Sequence, residues 1–258
     1  MSESNPDSYA LRKQQFDNMI TLYGRQVVHE LLREPGVEIF RVHLADSNRA
    51  GGIISEIEAL ARERQVEIIY HSRQALSRIS RNGRQDQGVA IDIQTNRYRS
   101  VDDVDSAAGD LMALDRVTNP QNLGMIIRTV AASPLAGLVL PRKGSAKIDP
   151  LVHKASSGTL IHADLYHCAD IGEGLKKLRN KGFEIIGLAG DGSRTINSMG
   201  EAVHPRVFVL GNETEGLSDE TRRICDQLIS IPLARNVESI NVAAAAALVA
   251  FRSILRED

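Results

Sequence analysis

The stretch VFVLGNETEGLS, residues 207–218, reads as a buried β-strand running into a loop bracketed by glycines. Four successive apolar residues with no polar alternation suit a strand covered on both faces, as in a parallel sheet. Gly211 and Gly216 permit backbone angles closed to other residues, and Asn212, Glu213 and Glu215 place polar side chains at the strand's end. Carboxylates there disfavour a polyphosphate and suit a cationic group or a ribose hydroxyl. Ser218, followed by Asp219 and Glu220, is a helix N-cap signal.

Working outward, similar β-rich runs occur at 111–117, 137–140, 183–188 and 228–231, with helical stretches at 121–132, 172–180, 219–225 and 238–255. This alternation predicts an α/β domain on a parallel sheet, with ligands outside the carboxyl ends of the strands. The last helix carries Ala243–Ala247 and is apolar almost all round, which predicts burial and another helix packed close. Upstream, runs at 37–45, 66–70 and 88–93 read as strands. Ile53, Ile54, Ile57 and Leu60 recur at helical spacing, and a second helix is expected about 74–79. That makes a smaller α/β layer. Between the two, VDDVDSAAGD (101–110) is acidic and nearly free of bulky apolar residues, as in a linker. The expected layout is a leader over 1–20, frayed or helical, a small domain over 21–98, a linker over 99–110 and a larger domain over 111–258.

The chain has 258 residues, 42% hydrophobic and 25% charged, with a formal net charge of −2. No stretch has the length and uniform apolarity of a membrane span, and the first residues lack the pattern of a secretory signal. The two cysteines, Cys168 and Cys225, form no metal or disulfide spacing, which fits a reducing cytoplasm. The seven histidines show no H-x-x-x-H spacing, so no metal is expected. A net charge near zero leaves room for a local basic surface. Residues 68–85 contain no acid but hold Arg73, Arg78, Arg81 and Arg84, candidates for phosphate contacts against the alternative of a solvated loop.

Two further strand-end loops carry polar residues. LDRVTNPQNLGMIIRT (114–129) passes from strand to helix through Asn119-Pro120, a helix-start signal, and Gly124 lets a ligand or a second backbone come close. Asn122 and Arg128 lie six residues apart, on neither the same nor opposite faces. ISIPLARNVESINVAAAAALVAF (229–251) places Ser239 and Asn241 where they either cap the helix or meet a partner. The glycine fingerprints of phosphate loops and nicotinamide-binding folds are missing, as is a hydrolase nucleophile elbow.

Together and in this order, the three loops resemble the signature motifs of the SpoU/TrmH branch of the SPOUT methyltransferases. Asn122, Gly124, Ile126 and Arg128 match the first. Gly211, Asn212, Glu213, Glu215 and Gly216 match the second, and Ile231, Pro232, Ser239, Ile240, Asn241 and Val242 the third. KASSGTL (154–160) is similar to another stretch of the family, and the first module, ending in DQGVAI (86–91), resembles an RNA-binding domain of ribosomal-protein L30e type. Thr214 stands where glycine is frequent, and Ile240 replaces a commoner leucine.

The resemblance implies a C-terminal domain with a deep trefoil knot, a symmetric homodimer, and S-adenosylmethionine (AdoMet) as methyl donor. Leu210, Gly211, Asn212, Ile231, Leu233 and Ile240 would line the cofactor. The implied reaction is 2′-O-methylation of a ribose in RNA, ribosomal RNA rather than transfer RNA from the two-module layout. Arg128 would position phosphate and stabilise developing negative charge. Asn122 would orient Arg128 or the ribose, and Glu213, Ser239 and Asn241 would shape the site. The rival readings are a catalytically silent RNA-binding protein of the same fold and, more remotely, a nicotinamide-dependent enzyme.

Overall fold

The computed structural model describes residues 19–94, 97–105, 107, 109–200, 203–235 and 237–255. Two units divide it: one runs through residue 96 and takes in 148–150, and the other holds 97–147 and everything from 151 on.

The first unit is built on a four-stranded sheet of order β1 (Met19–Tyr23), β4 (Val89–Gln94), β2 (Glu38–Ala45) and β3 (Glu67–His71). Helices α1 (Arg25–Arg33), α2 (Gly52–Glu63) and α3 (Arg73–Ser80) complete it. Two of these elements escaped the sequence. Met19 and Ile20, expected in the leader, begin β1, where Met19 pairs with Gln94; the rest of the leader lies outside the described residues. Helix α1 buries Val28, Leu31 and Leu32, a helical stripe too short to stand out. Its end is tied down by Arg64, whose guanidinium donates to the carbonyls of Leu31, Leu32, Glu34 and Val37.

The second unit is an eight-stranded, wholly parallel sheet. Its order is β10 (Arg194–Thr195), β12 (Gln227–Ser230), β9 (Glu184–Leu188), β11 (Arg206–Leu210), β6 (Leu111–Leu114), β7 (Gly137–Pro141), β8 (Leu165–Cys168) and β5 (Tyr98–Ser100). Its helices are α4 (Pro120–Ala131), α5 (Pro150–Ala155), α6 (Ile171–Asn180), α7 (Asp219–Ile224) and α8 (Val242–Ala250). Ala113, Val139, Ile185 and Val209 share one core cluster with Leu175 and Leu178 of α6 and Ile224 of α7. Strand alternation sends Met112, Leu138 and Phe208 to the opposite face, where α4 and α8 pack together.

The expected linker is corrected by this sheet. Tyr98–Ser100 is its edge strand, paired in parallel with β8, and Val101–Asp103 forms a helical turn closed by a capping box on Ser100. Val101 and Val104 are buried in the core cluster. Small, acidic composition masked two valines at a spacing that puts both inward. The last helix is also corrected: it spans Val242–Ala250, shorter than expected, and buries one stripe, while Leu248 stays 46% exposed. Among the described residues no helix is long and apolar enough to cross a membrane, and no group of three or more His, Cys, Asp or Glu is arranged to hold a metal.

Candidate active site

Strands β6 and β11 are neighbours, β12 lies one strand further on beyond β9, and all run parallel, so the loops that follow them emerge at the same end of the sheet. The loop after β11 doubles back sharply. Asn212 and Gly216 exchange backbone hydrogen bonds of 3.0 and 2.9 Å, and Gly216 has φ 68°. A Cβ on Gly211 would sit 2.2–2.4 Å from the backbone of Gly216 and Leu217. Only glycine fits there, because the obstacle is main chain that cannot give way. The Asn212 side chain acts as an internal strut, accepting from the backbone N–H of Thr214 (2.9 Å) and Glu215 (3.1 Å). Thr214 therefore fits the loop without a positive φ.

Two residues that the sequence did not single out anchor this loop from below. Asp115, buried at the end of β6, accepts from the Ser218 N–H at 2.6 Å. Arg116, in left-handed conformation at φ 60°, donates to the Glu215 carboxylate and to the Gly216 carbonyl (3.2 Å). The Asn212 amide returns a hydrogen bond of 2.9 Å to the Arg116 carbonyl. A charged pair in sequence resembles ordinary surface; only a positive φ at a non-glycine residue marks this one as structural.

The three loops meet at Asn122, which is 6% exposed. Its amide donates to Glu213 Oε1 at 2.6 Å, and its carbonyl accepts from Asn241 Nδ2 at 3.0 Å. A buried primary amide is costly unless paired, and here each polar atom has a partner from a different loop. Asn241 serves twice, since its Oδ1 also caps α8 through the Ala243 N–H at 2.8 Å. The alternatives of cap and partner are thus both realised. Ser239, on the exposed approach to that cap, makes no side-chain hydrogen bond among the described residues.

Arg128 lies elsewhere on the same helix. It is exposed and donates to Ser157 Oγ at 3.1 Å. Gly124 makes this pairing possible: a Cβ there would meet Ala155 Cβ at 2.4 Å and the Val152 carbonyl at 2.7 Å. The close approach draws α5 and the KASSGTL stretch against α4, one turn from Arg128. Of the two groups Asn122 is expected to orient, Arg128 or the ribose, Arg128 is not among its hydrogen-bond partners. Asn122 is committed to Glu213 and Asn241, and Ser157 holds the guanidinium.

Around this centre, Leu210 ends β11 buried, with its carbonyl accepting from the Asp115 N–H at 2.8 Å. Ile231 and Ile240 are half-buried, and Leu233 is exposed. In the first unit Arg73, Arg78, Arg81 and Arg84 are all exposed on α3 and the loop after it, and their guanidinium groups make no ion pair among the described residues.

Comparisons with known proteins assign this parallel-sheet unit to a family. The SpoU rRNA methylase family model matches residues 111–251. The chain belongs to the SpoU family. A second family model, RNA 2′-O ribose methyltransferase substrate binding, matches residues 21–99 of this SpoU chain. Over 92% of the chain and 77% of the relative, it is 32% identical to an uncharacterised tRNA/rRNA methyltransferase of Mycolicibacterium gilvum. Among solved structures, the SpoU chain resembles the AdoMet-bound rRNA methyltransferase of Sinorhizobium meliloti, with a TM-score of 0.66 and 24% identity over 100% of this chain and 98% of that one. The SpoU methyltransferase AviRb of Streptomyces viridochromogenes, in complex with AdoMet, gives a TM-score of 0.63 and 21% identity over 97% and 93%.

Proposed function

We propose that this SpoU-family enzyme methylates the 2′-oxygen of a ribose in structured RNA, with AdoMet as donor and ribosomal RNA as the substrate class. The observation that carries the reading is the Glu213–Asn122–Asn241 chain, which locks three strand-end loops together beside Arg128. The loop edge fits AdoMet. Gly211 lets the main chain turn back tightly where any side chain would collide with Gly216 and Leu217; Ile231, Leu233 and Ile240 supply apolar surface beside buried Leu210, and the Glu213 carboxylate suits a cation. In this reading the segments after β11 and β12 thread as the trefoil knot typical of the family.

AdoMet, when bound, supplies an electrophilic methyl on a positively charged sulfur. The protein's task is to place a weakly acidic ribose hydroxyl in line with it and to tolerate negative charge on the oxygen until the proton leaves. A guanidinium has only N–H donors and no acceptor to take up a proton, so Arg128 acts as a fixed positive charge at the ribose or its phosphate. Ser157 keeps that charge in place. Asn122 and Asn241 hold the Glu213 loop, and Ser239, free of internal hydrogen bonds among the described residues, faces substrate.

The first unit would grip RNA through Arg73, Arg78, Arg81 and Arg84, an electrostatic contact sensitive to salt. Met125, Leu151 and Leu248 are exposed apolar side chains on α4 and the two helices packed against it, the surface a symmetric partner would cover. An RNA substrate puts the enzyme's work in the cytoplasm. Transfer of labelled methyl from AdoMet to bulk ribosomal RNA and to bulk transfer RNA, followed by nucleoside analysis, tests the reading. A 2′-O-methyl nucleoside from ribosomal RNA is expected. The same product from transfer RNA alone would overturn the substrate class, and no transfer together with no AdoMet binding would favour a silent RNA-binding protein.

A further inference from the structure

A chain of hydrogen bonds crosses all four strands of the small sheet. Thr21 Oγ1 on β1 donates to Asp92 Oδ1 on β4 at 2.7 Å. His43 Nε2 on β2 lies 2.9 Å from Asp92 Oδ2, and His43 Nδ1 lies 2.9 Å from His71 Nε2 on the edge strand β3. His43 is 4% exposed and Asp92 8%, among the buried Val42, Leu44, Ala90 and Ile91. An apolar set of the same shape would hold such a sheet at least as well, so the network invites a role beyond stability. It does not close on itself. It ends at His71 Nδ1, which has no hydrogen-bond partner among the described residues and is not sealed from solvent.

The proton positions follow from the donors and acceptors available. Burial works against charge on Asp92, but hydrogen bonds from His43 and Thr21 outweigh it and hold the carboxyl below its ordinary range. Ionised Asp92 only accepts, so His43 carries its proton on Nε2 and its Nδ1 must accept in turn. His71 then supplies Nε2–H and is left with a lone pair on Nδ1. One extra proton anywhere on the histidine pair would turn that atom into a donor. Burial, then His43 and Arg41, push the His71 pKa down, opposed only by Asp46. The other charged groups near this face are Asp92 on β4, Glu67 on β3, which pairs with Arg41, and Arg73 of α3, a helix without an acid. His71 therefore stays without an added proton at neutral pH.

We propose that His71 Nδ1 is an RNA-reading atom: a hydrogen-bond acceptor, its tautomer pinned by His43 and Asp92, that receives a donor from the RNA. The donor is a ribose 2′-hydroxyl or a base N–H. This rests on the reading of the first unit as the RNA-binding module. Arg73, two residues on, and Arg78, Arg81 and Arg84 after it supply attraction to phosphate, which every nucleic acid shares. A fixed acceptor adds what phosphate contacts lack, since a sugar hydroxyl separates RNA from DNA and base edges carry sequence.

The test is binding of the full-length enzyme to bulk ribosomal RNA. His71→Ala is expected to weaken binding about three- to tenfold near pH 7.5, the effect of one hydrogen bond. Acidification through the His71 titration should weaken the wild type more than the variant where the RNA donor is a base N–H, because protonation destroys an acceptor and a base N–H cannot accept in return. His71→Phe, which keeps the ring's bulk on the edge strand, should repeat the result if the alanine variant folds poorly. An RNA hairpin and its 2′-deoxy counterpart separate the donors: a His71→Ala loss confined to RNA assigns the ribose, and a loss on both assigns a base. A His71-dependent gain in affinity on acidification would overturn the proposal, as would binding by His71→Ala and His71→Phe equal to wild type. If replacing the four arginines abolishes binding while the His71 variants do nothing, the relay fails and the module's role stands. If neither change matters, both fail.

Discussion

Each unit is threaded by a polar chain, and the two are built from different chemistry. In the large unit Glu213, Asn122 and Asn241 join loops that follow three different strands, and the central residue is an amide. In the small unit Asp92, His43 and His71 lie within the sheet, and the central residue is an imidazole. An amide has the same donors and acceptors at every pH in the cell's range, so the centre of the first chain fixes geometry. An imidazole pair changes its outward face with one proton, so the second chain reports on its surroundings as well as holding them. A site that must position two reactants in line benefits from the first kind. A surface that reads hydrogen-bond donors benefits from the second.

The sharpest way to break the large unit's chain of function lies just beyond it. Arg128→Ala should lower methyl transfer about 10²–10³-fold, the usual loss when a fixed stabiliser of transition-state charge is removed. AdoMet affinity should stay within about twofold, because the guanidinium bonds to Ser157 and not to the cofactor loop. Turnover within a few-fold of wild type would remove Arg128 from the mechanism. Gly211→Ala should act on the opposite quantity. Its Cβ meets main chain at 2.2 Å, so the loop must open, and isothermal titration should show AdoMet binding largely lost. Retained affinity would mean that the cofactor does not rest on this turn.

Asn122→Ala sharpens the comparison itself. It leaves the Glu213 carboxylate and the Asn241 amide without their buried partner, at a cost of about 1–3 kcal/mol in denaturant unfolding. Activity should fall with little dependence on pH, since no titrating group has been removed from the chain. A new pH dependence in the Asn122 variant would show that the amide chain does more than hold loops.

Legibility followed the same division. The buried strands of the large sheet and the turns at Asn119-Pro120 and Gly211–Gly216 are local patterns of apolar runs, caps and glycines, and these could be read directly. The pairing of Asn122 with Glu213 and Asn241 spans 91 and 119 residues, and no local rule brings those loops together. The motif order suggested a shared site, with Asn122 orienting Arg128 or the ribose, but gave no sign of its pairing with Glu213 and Asn241. Ser157, the partner Arg128 actually has, sat in a stretch noted only for its resemblance. Asp115 and Arg116 were invisible for another reason: a charged pair after a strand is common, and only the folded loop gives it work. The relay in the small sheet was least legible of all, because Thr21, His43, His71 and Asp92 sit one in each of four strands and form no spacing.

The smallest effect separates the two chains within a single experiment. The folded pKa of His71 lies below its unfolded value of about 6.5, so below that pH the unfolded chain takes up a proton that the folded chain resists. Stability of the small unit should therefore decline as pH falls through this window. Asp92 acts with the same sign in a lower window: its contribution is present above the unfolded value of about 4 and is lost as pH falls through its lower folded value. Between about pH 6.5 and about pH 4.5 Asp92 adds little, and the part of the slope lost in His71→Ala belongs to His71. Native-state hydrogen exchange, corrected for intrinsic rates, reads both units at once. Protection at Val42 and Ile91 should decline on acidification, and the decline should flatten in His71→Ala. Any slope at Val209 in the large sheet should be the same in both proteins. A His71-dependent rise in protection on acidification would mean that the folded relay welcomes the proton, and the acceptor assigned to His71 Nδ1 would become a donor.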